Sequence, residues 1–227
     1  MEEKRLSTKE LILQKSKELF YENGIENTAF DAVANELNIS KGLITYHFKN
    51  KKNLMLEVRA EIMRYLKNTV ARRYYTVCGD YDLEYATATE MRVLVRWMVE
   101  DRKVFRFFYE TSLQAMDTIT EQNLQFYRLH QKKYHRIQDE SGREHELELV
   151  TCAAKSAVNG LVACYYNGLL PCDYETFADF RVRVPFLFLK VSEERIAQIL
   201  EKSKRWKSSG FFLFAVFSAH VDIYPFL

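Results

Sequence analysis

Proline occurs only three times in 227 residues, at Pro171, Pro185 and Pro225, and glycine seven times. Few positions can therefore interrupt a helix, and long stretches of 3.6-residue hydrophobic periodicity predict an all-α chain. No internal repeat, heptad array or low-complexity linker divides it. The length exceeds one typical domain of about 100–200 residues, which suggests a small unit followed by a larger one. The expected organisation is a small head unit over 1–50, a connecting helix over 51–76, a helical domain over 77–206 and an atypical apolar tail over 207–227.

Local signals place the first helices. Ser7-x-x-Glu10 is a capping box that starts a helix running to about Asn23, with Gly24 placed to end it at positive φ. Its stripe is Ile12, Ser16, Leu19 and Phe20. Thr28-x-x-Asp31 reads as a second capping box, opening a short helix with Phe30, Val33, Ala34 and Leu37 inward. Asn38 is suited to a left-handed turn, and Ser40 caps a third helix, Lys41 to about Phe48, with Ile44 and Phe48 on its buried side. Asn50 caps a fourth helix, which reaches Tyr74 or Tyr75 on the stripe Leu54, Val58, Ile62, Tyr65 and Leu66. Further helices are expected near 83–100, 102–115, 117–138, 144–169, 173–189 and 193–206, with turns at Cys78-Gly79-Asp80 and Ser141-Gly142.

The net charge of +2 conceals an asymmetry. Residues 1–40 carry 5 Lys/Arg against 8 Asp/Glu, whereas residues 41–76 carry 9 against 2. Two short helices joined by a tight turn and braced by a third, with a basic stripe beginning at the second, form a helix-turn-helix that can lay a recognition helix in the major groove. With Ile44 and Phe48 inward, Lys41, Gly42, Thr45, Tyr46 and part of His47 face outward. Lys, Thr, Tyr and His donate to phosphates or base edges, and Gly42 permits close backbone approach. Lys49, Lys51 and Lys52 cluster at the amino end of the fourth helix, where the macrodipole disfavours cations and a bound phosphate would reverse that preference.

The segment Ile39-Ser-Lys-Gly-Leu-Ile-Thr-Tyr-His-Phe-Lys-Asn-Lys-Lys-Asn-Leu54 resembles the DNA-binding signature of the TetR family of bacterial regulators. The likeness begins at Leu19-Phe20 and Gly24, continues through Thr28, Asp31 and Val33-Ala34, and covers about 50 residues. It implies that Thr28, Tyr46, His47 and Lys51 meet phosphates, and that Lys41, Gly42 and Thr45 lie near base edges. Ser40, Leu43 and Lys49 complete the expected DNA-binding set. Thr45 stands where the family commonly has tyrosine, and Leu43 where a small or polar residue is usual, so base preference does not carry over. The resemblance also implies a homodimer on a pseudo-palindromic operator, and a second domain that binds an apolar or aromatic effector and controls a repressor.

The aromatic-rich second domain offers Trp97, Phe108, Tyr109, Gln114, Tyr127, Asn159 and Tyr165 as candidate pocket walls, each an apolar helix position with a polar handle or a broad ring. Subunit contact is expected through Leu149, Cys152, Ala153, Ser156, Ala157 and Gly160 on one helix, and through Phe177, Phe180, Val184 and Phe188 on the next. No G-x-S-x-G, phosphate-loop or dinucleotide motif occurs, nor any H-E-x-x-H, so neither an enzyme nor a metal or cofactor site is expected. Cys78, Cys152, Cys164 and Cys172 form no C-x-x-C pair and read as buried free thiols in a reducing cytoplasm. The N-terminus shows no leader pattern. The tail Gly210–Leu227 is apolar but too interrupted by Ser218, His220, Asp222 and Pro225 for a membrane span, and no membrane partner is expected. The rival reading is a helical binding or scaffold protein without sequence-specific DNA binding.

Overall fold

The computed structural model describes residues 6–78, 82–134, 145–206 and 217. Every regular element among them is an α-helix: α1 Thr8–Asn23, α2 Phe30–Leu37, α3 Lys41–Phe48, α4 Lys51–Cys78, α5 Leu83–Glu100, α6 Arg102–Gln114, α7 Glu121–Tyr134, α8 Glu146–Tyr166, α9 Tyr174–Phe188 and α10 Glu193–Lys204. The fold is all-α. The expected turns at 79–80 and 141–142, and the tail apart from Phe217, lie outside the described residues.

Chain-local chemistry sets most of these boundaries. Ser7 and Glu10 close their capping box, with the Ser7 N–H donating to Glu10 Oε2 at 2.7 Å. Gly24 ends α1 at φ 87°, and a side chain there would also meet Glu110 Oε1 at 3.0 Å. Asn38 turns the chain at φ 53°, ψ 45°, and Ser40 Oγ accepts from Leu43 N–H at 3.3 Å. Asn50 Oδ1 accepts from Asn53 N–H at 2.8 Å. The helix expected from residue 117 begins later, because Thr120 and Asn123 exchange cap hydrogen bonds just ahead of Glu121.

Thr28 departs from expectation. Ala29, not Thr28, stands at the cap of α2, and no side chain caps that helix. The Thr28 hydroxyl donates to the carbonyls of Gly24 at 2.7 Å and Leu19 at 3.3 Å, and the residue is only 1% exposed. It ties the α1–α2 turn back onto the end of α1.

One continuous core joins α1–α4 to α5 and α6, with Phe20, Phe48, Leu54, Met55, Phe107 and Phe108 at its centre. A second core lies among α5, α7, α8, α9 and α10, around Tyr127, Val182, Phe186 and Ile199. Arg92 braces this end by reaching Glu175 and Asp179 of α9 and Ser203 of α10. Arg195 pairs with Asp82 and Glu84.

The polar face of α6 is docked on the turn that follows α1. Tyr21 donates its hydroxyl to Asp101 at 2.6 Å, and Arg106 Nη2 donates to the carbonyls of Tyr21 and Glu22. Glu110 Oε2 accepts from Ile25 N–H at 2.5 Å. Phe217 lies at the same junction, with its ring 5.0 Å from Tyr21 and 5.7 Å from Phe107.

Candidate nucleic-acid interface

Helix α3 turns Ile44 and Phe48 into the core and leaves Lys41, Gly42, Thr45 and Tyr46 exposed, with Leu43 and His47 partly so. Tyr46 is 80% exposed, a large apolar ring held in water with only the His47 ring beside it at 5.2 Å. A ring so placed carries a phosphate-reaching hydroxyl and apolar surface that a partner would cover. Lys41 Nζ pairs with Asp31 at 2.7 Å, an exposed and easily exchanged contact.

Lys49 sits between α3 and α4 at φ 63°, ψ −51°, a conformation costly for any residue bearing a Cβ. Its N–H closes α3 on the Thr45 carbonyl at 2.8 Å, and Asn50 N–H turns back to the Phe48 carbonyl at 2.7 Å. This tight reversal sets the exposed lysine two residues ahead of the amino end of α4, whose first turn contains no acid. Lys49→Gly should therefore raise stability by about 1 kcal/mol. Urea unfolding of the two proteins tests it, and a lowered midpoint in the variant would refute the strain.

Lys51, expected on a phosphate, donates to the carbonyls of Ile25 at 2.8 Å and Glu26 at 3.2 Å. It thus holds the α1–α2 turn against α4. Lys52 reaches Asp117 at 2.6 Å, linking α4 to the end of α6. Thr28 is withdrawn from the surface altogether, so a side-chain phosphate contact there is corrected to a structural hydrogen bond.

The candidate pocket residues are scattered. Trp97 and Phe108 belong to the first core and Tyr127 to the second. Tyr109 stacks on Tyr166 at 4.2 Å, and Tyr165 on Phe177 at 3.9 Å. Asn159 is buried on α8. Gln114 is no pocket wall, because its amide donates to Glu26 Oε1 at 2.8 Å across the exposed junction with the head. A cleft of about 360 Å³ borders Arg92, Arg96, Glu100, Tyr174, Glu175 and Trp206, and none of the seven candidates lines it. Among the described residues no group of three or more His, Cys, Asp or Glu is gathered as metal ligands would be.

The expectation for the outer helices also needs correcting. Phe177 and Val184 are buried in their own chain, so the outward face of α9 is carried by Phe180 and Leu187. The thiols are not uniformly buried either, since Cys152 is exposed and Cys164 and Cys172 are intermediate. Cys152 shares the outward side of α8 with Leu149 and Ala153, so its apolar neighbours face away from the core.

A three-helix head with a projecting recognition helix, followed by a helical domain, defines a helix-turn-helix transcriptional regulator fold. Residues 12–58, which span the head and the start of α4, match the model of the bacterial regulatory proteins of the tetR family. The chain is similar in fold to RolR solved without ligand, at 19% identity and TM-score 0.53 over 88% of this chain and 98% of that one. It is similar also to RolR solved with resorcinol, at 18% identity and TM-score 0.54 over 89% and 95%. The multidrug binding protein EbrR with imidazole aligns at 19% identity and TM-score 0.48 over 79% and 96%.

Proposed function

We propose that the chain is an effector-controlled repressor that reads a pseudo-palindromic operator as a homodimer. The observation that carries the DNA half is the outward face of α3: Lys41, Gly42, Thr45 and Tyr46 stand free of the core, and exposed Lys49 lies two residues ahead of an α4 amino end that has no acid of its own. Lys41, Gly42, Leu43 and Thr45 are assigned to base edges, and Ser40, Tyr46, His47 and Lys49 to phosphates, with Lys51 close behind. Fragments selected from random DNA should share a sequence with two-fold symmetry. Recovery of no sequence above background would refute the DNA half.

The dimer half is supported by α8. This helix is long and apolar enough to cross a bilayer, with a mean hydropathy of 1.3 over its best 18 residues, yet only 22% of that window is buried. It packs against α6, α7 and α9 in the bundle, and its open side presents Leu149 at 68% exposure beside Cys152 and Ala153, with Phe180 of α9 at 54%. Two such faces meeting about a two-fold axis would cover one another, small residues of one admitting large residues of the other. Sedimentation should give a dimer at micromolar concentration, and Leu149→Glu with Phe180→Glu should give a folded monomer. A monomeric parent protein would refute this interface.

The effector half draws on the RolR structure with resorcinol, which has this fold. Coupling is assigned to α6, which carries the hydrogen bonds to the head at Tyr21, Glu22 and Ile25. A ligand that binds the two arrangements of α6 unequally shifts the spacing of the heads, typically by about 1–3 kcal/mol of coupling.

A further inference from the structure

Of the apolar tail the structure describes Phe217, and that residue is buried. Phe217 lies beyond α10, which ends at Lys204, yet it is 5% exposed and belongs to the core that joins the head to α5 and α6. Its ring lies 5.0 Å from that of Tyr21, close to stacked at 29°, and 5.7 Å from that of Phe107, edge-on at 76°. Both separations are those of favourable aromatic pairs. Tyr21 belongs to α1 in the head and Phe107 to α6 in the second domain, so the ring from the tail fills a seat with one wall in each.

Polar contacts hold Tyr21 from other sides. Its hydroxyl donates to Asp101 at the start of α6 at 2.6 Å, while Lys103 Nζ stands 5.0 Å from its ring centroid and pairs with Glu22. Arg106 and Glu110, further along α6, engage the Tyr21 and Glu22 carbonyls and the Ile25 N–H. None of these contacts is fully buried, and such pairs contribute modestly because water competes for both partners. A buried phenyl ring meets no such competition, and its contribution grows with the apolar area removed from water. Phe217 therefore adds an apolar hold to a turn that α6 grips with polar groups.

We infer that Phe217 is a latch, which pins the end of α1 to α6 and so fixes the pose of the head on the second domain. The residue stands outside α1–α10, so its release loosens the junction without dismantling either part. A loosened head samples poses other than the one an operator requires, and apparent affinity falls by the fraction that remains competent. That last consequence rests on the DNA-binding reading above, whereas the latch does not.

Amide hydrogen exchange of the full chain without DNA tests the latch, read at Ile25, whose N–H is held by Glu110, and at Ile199 of α10 in the second core. Phe217→Ala should speed exchange at Ile25 by about 10- to 100-fold and leave Ile199 unchanged, because the junction opens locally. Phe217→Leu keeps apolar bulk without the ring and should speed Ile25 by less, which preserves the comparison if the alanine variant unfolds. In a Tyr21→Ala background the same substitutions should have a smaller effect, since one wall of the seat is gone. Unchanged exchange at Ile25, equal acceleration at Ile25 and Ile199 in both variants, or full additivity with Tyr21→Ala would overturn the latch. On an operator selected by the parent protein, Phe217→Ala should weaken binding by about 5- to 150-fold. Unchanged or tighter binding would overturn the control of the head and leave the exchange result standing, whereas failure of the parent protein to select any operator removes the DNA-binding reading and not the latch.

Discussion

Binding to a selected operator should weaken about 10³- to 10⁵-fold as salt rises from about 50 to about 200 mM. Each head presents Ser40, Tyr46, His47 and Lys49 around α3 and the amino end of α4, with Lys51 close behind. Two heads then make roughly the 6–10 phosphate contacts for which such a dependence is found. Lys49→Gly should reduce the slope of log affinity against log salt by about 2, one contact per head, and should weaken all sequences alike. Thr45→Ala should leave the slope unchanged and alter which sequence is preferred. Lys51→Ala is a poorer probe, because its ammonium also secures the carbonyls of Ile25 and Glu26. Fluorescence anisotropy across a salt series decides the matter, and a flat dependence would remove the phosphate-contact model.

Glu90→Gln should make the protein about 2–3 kcal/mol more stable at pH 8 while changing little at pH 5. Burial pushes the Glu90 carboxyl up to about 7 against the opposing charge of Lys67. The folded state therefore prefers the protonated acid. Its stabilising contribution is complete below the unfolded value of 4.5 and is lost as pH rises through about 7. Glutamine mimics the protonated form and removes that loss. Urea denaturation of both proteins at pH 5 and pH 8 supplies the comparison, and equal differences at the two pH values would show that Glu90 titrates normally.

What was legible in the sequence was mostly local. Ser7, Gly24, Asn38, Ser40 and Asn50 act within three or four residues of themselves, so their roles could be read without knowing what lay opposite. Thr28 was misread because its spacing to Asp31 imitates a cap, whereas its hydroxyl is drawn away by carbonyls of α1, a contact no spacing rule contains. Gln114 failed for a similar reason, since its partner Glu26 lies 88 positions earlier. Phe177 and Phe180 are both apolar and three apart, and only the bundle decides which one turns inward. The buried Arg181 did leave a trace: it interrupts Phe177, Ala178 and Pro185 at helical spacing, but a charge on a helix ordinarily reads as its wet side.

The docking of α6 on α1 bears on how such proteins can be recombined. A head cut out at residue 50 would leave behind the acceptor for Tyr21 and the acceptor for Ile25, which lie 80 and 85 residues further along the chain. Grafting this head onto another regulator's sensing domain would succeed only if that domain brought equivalents of Asp101, Arg106 and Glu110 to the same turn. Shuffling of specificities is thereby confined to exchanges made inside α3, whose outward residues make no contact with the second domain among the described residues.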